Sequence, residues 1–259
     1  MEARLLDAFP DHRPERFEHG GDVRAQIGDA RRVVVAGGDG TIGAVLRALA
    51  DADCQVALLP LGTFNNFARA LRIPEDVDGA IEVARTGRPR PVTLGRVNGR
   101  PFLEVAAAGR FGELIVLGEA AKDLAFGELG AHLQQLRELR TFTYRLSGDL
   151  VGRGTAVSLV FSNTPTTGAH VSIGDTTPVD PYLELALGLG GARDTLTRVL
   201  AALLHRPRPG RTTLNLRFRR LTVTTNPVVP VYADHEEVGR TPFTVEARPG
   251  AVTVVVPSD

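Results

Sequence analysis

The chain has 259 residues, 43% of them hydrophobic, which is enough for one large domain or two ordinary ones with real cores and excludes a disordered chain. Thirty basic residues balance thirty acidic ones, so no net field draws the molecule to nucleic acid or to an anionic membrane, and any such attraction must come from a local patch. Lys122 is the only lysine and stands in neither context where a Walker P-loop or a protein kinase needs one, so both chemistries are excluded by inventory.

Residues 1–31 offer one short amphipathic piece, Leu5, Leu6 and Phe9, with neither a basic start nor an apolar stretch of secretory length. No run anywhere approaches ~18 consecutive apolar residues, so no transmembrane segment is expected and the location expected is cytoplasmic. The single cysteine, Cys54, excludes an intrachain disulfide framework and reads as a small core residue. The run Arg32-Val33-Val34-Val35-Ala36 has the pattern of a strand buried on both faces of a parallel sheet, and Ile42, Val45, Leu46 and Leu49 follow it at helical spacing. A second buried strand, Gln55 to Leu59, runs into Pro60-Leu61-Gly62-Thr63 and a short helix from Asn65 to Leu71, stopped before Pro74. Val77, Ala80, Ile81 and Ala84 make another helical stripe, closed by Thr86-Gly87. This alternation predicts an α/β parallel-sheet domain over residues 1–90.

From Arg90 the texture changes. Val92 to Val97 and Phe102 to Ala107 flank Asn98-Gly99, a hairpin signal because both central residues tolerate positive φ. A helical region from Phe111 to Arg140, with Leu129, Leu133, Leu136 and Leu139 as a core stripe, precedes strands at Phe142–Leu146, Ala156–Phe161, Leu183–Leu189, Leu214–Thr224, Val228–Tyr232, Phe243–Ala247 and Val252–Val256. One further helix carries Leu196, Val199, Leu200 and Leu203 on a face, and the basic, proline-rich loop His205 to Arg211 reads as a solvated linker, with a headgroup contact as its alternative. Residues 91–259 are thus predicted to form a β-rich domain. The six histidines are scattered singly, without the spacing of a zinc site.

Two motifs carry chemistry. Gly37-Gly38-Asp39-Gly40-Thr41 ends a predicted parallel strand and opens a helix, where glycines admit an anion close to the backbone and the helix start supplies unpaired N–H groups. Twenty residues later, after the next strand, stands Leu59-Pro60-Leu61-Gly62-Thr63-Phe64-Asn65-Asn66-Phe67-Ala68-Arg69. Together they resemble the catalytic domain of diacylglycerol kinases, sphingosine and ceramide kinases and their bacterial lipid kinase relatives. NAD kinases share the first loop, but the second run is similar to the lipid kinase side. Phe161-Ser162-Asn163, Val179-Asp180, Asp234-His235-Glu236 and the segment Gly127 to Leu139 extend the resemblance along the chain.

The resemblance implies a two-domain fold with the active site in the interdomain cleft. It implies an ATP- and Mg2+-dependent lipid kinase that meets its lipid substrate at the membrane surface, with no nucleic-acid partner and a homodimer as an open alternative. Gly37, Gly38, Asp39, Gly40, Thr41, Gly62, Thr63, Asn65 and Asn66 would line the nucleotide phosphates, and Asp180 would bind the metal. Asp234 would be the general base, supported by Glu236; in a polar turn its carboxylate is expected to carry little packing, so that its substitution leaves folding intact. Several family carboxylates are replaced: Asn66 stands where the family has Asp, Thr93 stands in an Ile-Asp-Leu-Gly motif, and Gly43-Ala44 replaces Asn-Glu. The family's opening strand, its Asn-Pro-x-x-Gly loop and its closing helix are not found within the 259 residues. Two further readings therefore stand beside the active lipid kinase, a catalytically inactive binding or scaffold protein and a NAD kinase-like enzyme.

Overall fold

In the computed structural model, which describes residues 2–18, 21–109, 111–112, 141–168, 171–188 and 213–258, the chain divides into two units. One comprises Met1–Pro91 with Val252–Asp259, the other Val92–Ala251. The leucine stripes at 129–139 and 196–203, the 205–211 loop and Lys122 lie outside the described residues.

The first unit grows from its apolar runs. Strands β1 (Arg32–Gly37) and β2 (Gln55–Pro60) pair in parallel, with Arg32 opposite Gln55 and Gly37 opposite Pro60. The end of the last strand, β16 (Phe243–Val256), pairs in parallel with the other side of β2, Thr253 opposite Gln55. With a neighbour on each side, β2 is buried from Val56 to Pro60. The expectation of burial on both faces fails for β1, where only Val35 is buried, because among the described residues β1 ends the strand order and has one neighbour. Helix α3 (Asp39–Ala48) turns Ile42, Val45 and Leu46 inward, and α5 (Val77–Thr86) turns Ala80, Ile81 and Ala84 inward, the i, i+3, i+4 spacing of an amphipathic helix. The Asp76 carboxylate caps α5 by accepting the Gly79 N–H at 2.8 Å. Three shorter helices, α1 (Glu2–Ala8), α2 (Val23–Ile27) and α4 (Asn66–Ala70), complete the unit. Cys54 is buried, and burial first and Asp53 second push its thiol above the ordinary value, as suits a core residue.

Among its described residues the second unit forms a pair of antiparallel sheets. One has the order β12 (Thr213–Phe218), β11 (Leu183–Gly188), β8 (Ser158–Ser162), β5 (Val105–Gly109), β14 (Pro230–Ala233) and β15 (Glu236–Arg240). The other joins the start of β16 to β13 (Arg220–Asn226), β6 (Phe142–Gly148) and β7 (Gly152–Ala156). A small ribbon, β9 (Thr166–Thr167) with β10 (Val171–Ser172), stands apart from both. The hairpin of β3 (Arg88–Val97) and β4 (Arg100–Phe102) turns through Asn98 and Gly99 at φ 49° and 85°, the left-handed pair that Asn-Gly predicts.

Side chains from both sheets close one core, in which Phe161 of β8 stands edge-on to Phe218 of β12 and to Phe243 of β16, ring centres 5.9 and 5.6 Å apart. Phe161→Ala should therefore lower unfolding free energy by about 3–5 kcal/mol, the usual range for emptying a buried aromatic site, read from urea denaturation.

Strand boundaries differ from the sequence reading in three places. The segment Leu214–Thr224 is not one strand: it breaks at Arg219 into β12 and β13, which enter different sheets. Phe243–Ala247 and Val252–Val256 are not two strands but one, continuous through the exposed Arg248–Gly250. β7 and β15 are too rich in glycine and charge to read as strands, and pairing with β6 and β14 makes them so.

At the Arg219 corner the Asp149 carboxylate accepts the N–H groups of Arg219 and Arg220 at 2.8 and 3.1 Å, which lowers its protonation below the ordinary carboxyl range. A depressed carboxyl contributes stability above its unfolded value, and the contribution is lost as pH falls through the folded value. Thermal melts of wild type and Asp149→Ala should therefore differ near neutrality, with the wild type higher, and the gap should narrow as pH falls below about 3.9.

Candidate active site

The two glycine loops leave the C-terminal ends of adjacent parallel strands, so they begin as neighbours, and the Leu61 N–H donates to the Gly37 carbonyl at 2.8 Å. Their backbones touch. A Cβ on Gly62 would lie 2.6 Å from the Cα of Gly38 and 2.8 Å from Asn65 Oδ1, so only glycine fits there. Asn65, buried and in the left-handed region at φ 48°, folds the second loop on itself: its Oδ1 accepts the Gly62 N–H at 3.0 Å and its Nδ2 donates to the Gly62 carbonyl at 2.9 Å. The Asn65 N–H then donates to Asp39 Oδ2 at 2.9 Å, which ties the second loop to the first.

Gly40 differs from these. A Cβ there would meet nothing within 4 Å, and α3 starts at Asp39 with no side chain capping its end. The open backbone at the start of a helix fits a phosphate group, favoured by the helix dipole. Thr63 is exposed near this end, Thr41 packs against Gly37, and Asn66 is buried at the start of α4.

In the second unit Asp234 occupies the turn between β14 and β15, in the left-handed region at φ 51°. Its carboxylate faces inward onto the chain between β4 and β5. Oδ2 accepts the Leu103 N–H at 3.1 Å, and Oδ1 accepts those of Glu104 at 2.9 Å and Val105 at 3.4 Å, while the Asp234 N–H donates to the Val105 carbonyl at 2.7 Å. The expectation that this carboxylate carries little packing is thereby corrected, since three amides converge on it. Sequence reading missed this cradle, as nothing local in Leu103-Glu104-Val105 signals it.

Glu236 is exposed at the start of β15, beside His235. Asp180 Oδ2 accepts both the N–H and the hydroxyl of Thr177 at 2.8 Å, closing a turn, and the Asp180 carbonyl accepts the Thr93 hydroxyl at 2.6 Å. Thr93 is buried and so serves as a strut where the resembling families carry a carboxylate. Among the described residues no three His, Cys, Asp or Glu side chains gather as a metal cluster, and no helix is long and apolar enough to cross a membrane.

Comparison with known proteins decides the family. Residues 9–97 match the diacylglycerol kinase catalytic domain. A Pseudomonas savastanoi protein named as a YegS-like lipid kinase is 32% identical over 98% of this chain and 89% of its own length. The chain belongs to this lipid kinase family. The diacylglycerol kinase of Bacillus subtilis is 39% identical over 41% of the chain and 36% of its own length. A crystal structure of a diacylglycerol kinase from Bacillus anthracis shares the fold with a TM-score of 0.71 over 97% of this chain and 87% of that one, at 20% identity. An NAD kinase from Archaeoglobus fulgidus in complex with ATP shares it with a TM-score of 0.53 over 98% and 88%, at 15% identity. The α/β and β-rich architecture expected from the motifs is thus that of the family.

Proposed function

We propose that the protein uses ATP to phosphorylate a hydroxyl group of a diacylglycerol-like or sphingoid lipid. The observation that carries this reading is the backbone contact of Gly38 with Gly62 beside the open start of α3, a helix N-terminus of the kind that suits phosphate. The first unit supplies the phosphate loops, with Gly37 to Thr41 and Gly62 to Asn66 holding the nucleotide. The second supplies the base. Asp234 takes the proton of the lipid hydroxyl as that oxygen bonds to the γ-phosphorus and the bond to the bridging oxygen of ADP breaks, yielding ADP and a phosphorylated lipid.

Mg2+ would neutralise charge on the transferring group. That no carboxylate cluster gathers among the described residues suits an ion carried mainly by phosphate oxygens and water, with Asp180 as the carboxylate assigned to it. The named activities of the diacylglycerol kinase relatives support the substrate class, and the ATP complex of the NAD kinase supports the nucleotide.

The test is transfer of labelled phosphate from ATP to a panel of diacylglycerols and sphingoid bases in mixed micelles, with ATP binding followed by calorimetry with and without Mg2+. A phosphorylated lipid is expected. No transfer to any lipid together with no ATP binding would overturn the reading in favour of an inactive binding protein.

A further inference from the structure

The amides that hold Asp234 are themselves held from behind. The peptide unit between Leu103 and Glu104 presents its N–H to Asp234 Oδ1, and its carbonyl accepts Asn163 Nδ2 at 2.8 Å. The next unit, between Glu104 and Val105, presents its N–H to the same oxygen, and its carbonyl accepts the Asn163 backbone N–H at 2.8 Å. One residue therefore grips both peptide groups that converge on Oδ1. Asn163 follows the last residue of β8, where pairing of β8 with β5 has just brought Ser162 opposite Val105. It is completely buried, and its Nδ2 also donates to the Thr93 carbonyl at 2.9 Å, which fixes the side chain against a third segment. Peptide groups in such a chain polarise one another, so a donor at the carbonyl end strengthens the hydrogen bond given at the N–H end.

We infer that Asn163 is the positioning residue for Asp234, acting through the 103–104 and 104–105 peptide groups; the kinetic part of this inference rests on the phosphotransfer reading above. The coupling runs carbonyl to N–H across two planar amides, which transmit orientation because a peptide plane rotates as one body. A misdirected base reduces the rate of the transfer step without altering how nucleotide or lipid binds, so the effect belongs in kcat and not in KM.

The test uses the full chain with Asn163→Ala and Asn163→Ser, the serine keeping one donor and so serving if the alanine variant does not fold. Initial rates with dioleoylglycerol in mixed micelles should show kcat reduced about 10- to 100-fold, while KM for ATP and lipid and the stoichiometry of ATP binding stay at wild-type values. A rate loss matched by loss of ATP-binding stoichiometry, or one carried by KM, would mean a merely structural residue and would overturn the inference. Unchanged kcat in an active enzyme would overturn it too.

A second readout does not depend on turnover. Amide hydrogen exchange at Glu104, whose peptide group loses the Asn163 side-chain donor, should accelerate in Asn163→Ser while that of β1 and β2 is unchanged, and unaltered exchange at that amide would overturn the inference whatever the wild type phosphorylates. Absence of lipid phosphorylation by the wild type would count against the phosphotransfer reading alone.

Discussion

Asp234→Asn should reduce phosphate transfer to lipid by about 10²–10⁴-fold, the usual contribution of a general base. Asparagine preserves size but cannot take the hydroxyl proton. Its amide group also meets the cradle badly, because whichever position the NH2 takes now faces a backbone donor: Leu103 on one side, or Glu104 and Val105 on the other. A stability loss on the order of 1–3 kcal/mol should accompany the kinetic one, since a buried-side amide is left without its acceptor. The two effects separate cleanly when rates are expressed per ATP-binding site and the melting temperature is measured alongside. Nucleotide affinity should be untouched, because the loops proposed to hold the phosphates belong to the other unit. Transfer that survives the substitution would show that another group accepts the proton.

Gly62→Ala should abolish measurable ATP binding by calorimetry, whereas Gly40→Ala should weaken it and leave the fold intact or slightly more stable. At Gly62 the added methyl group collides with the Cα of Gly38 and with Asn65 Oδ1, and backbone atoms cannot swing aside as a flexible side chain would. The loops must part, which breaks the Asn65 hydrogen bonds to Gly62 and the tether to Asp39. At Gly40 the same methyl group meets no protein atom and adds up to about 1 kcal/mol of helix propensity at the start of α3. Its only cost is to whatever approaches that open backbone. Equal ATP affinity in Gly40→Ala and wild type would show that the phosphate lies elsewhere. Wild-type binding by Gly62→Ala would mean that contact between the loops is not needed.

The sequence by itself determined the features that depend on neighbours in the chain. Val33 to Ala36 and Val56 to Leu59 are apolar without interruption, so they form parallel strands, and the glycines after each leave only a tight turn into a helix. Since parallel partners run side by side, those two turns had to emerge together, and Gly38 meets Gly62 for that reason. Asn98-Gly99 dictated its hairpin in the same local way, through two residues that accept positive φ.

Tertiary structure alone decided the surroundings of Asp234. Its partners Leu103, Glu104 and Val105 lie 131, 130 and 129 residues away, and a polar Asp-His-Glu turn has one composition whether it projects into water or folds onto distant amides. The same holds for the break at Arg219, where the chain passes between sheets, and for the last strand, whose end pairs with β2 almost two hundred residues earlier in the chain. Periodicity reports which face of a segment is apolar. It carries no record of which distant backbone will supply the hydrogen bonds, because every residue but proline offers the same N–H and the same carbonyl.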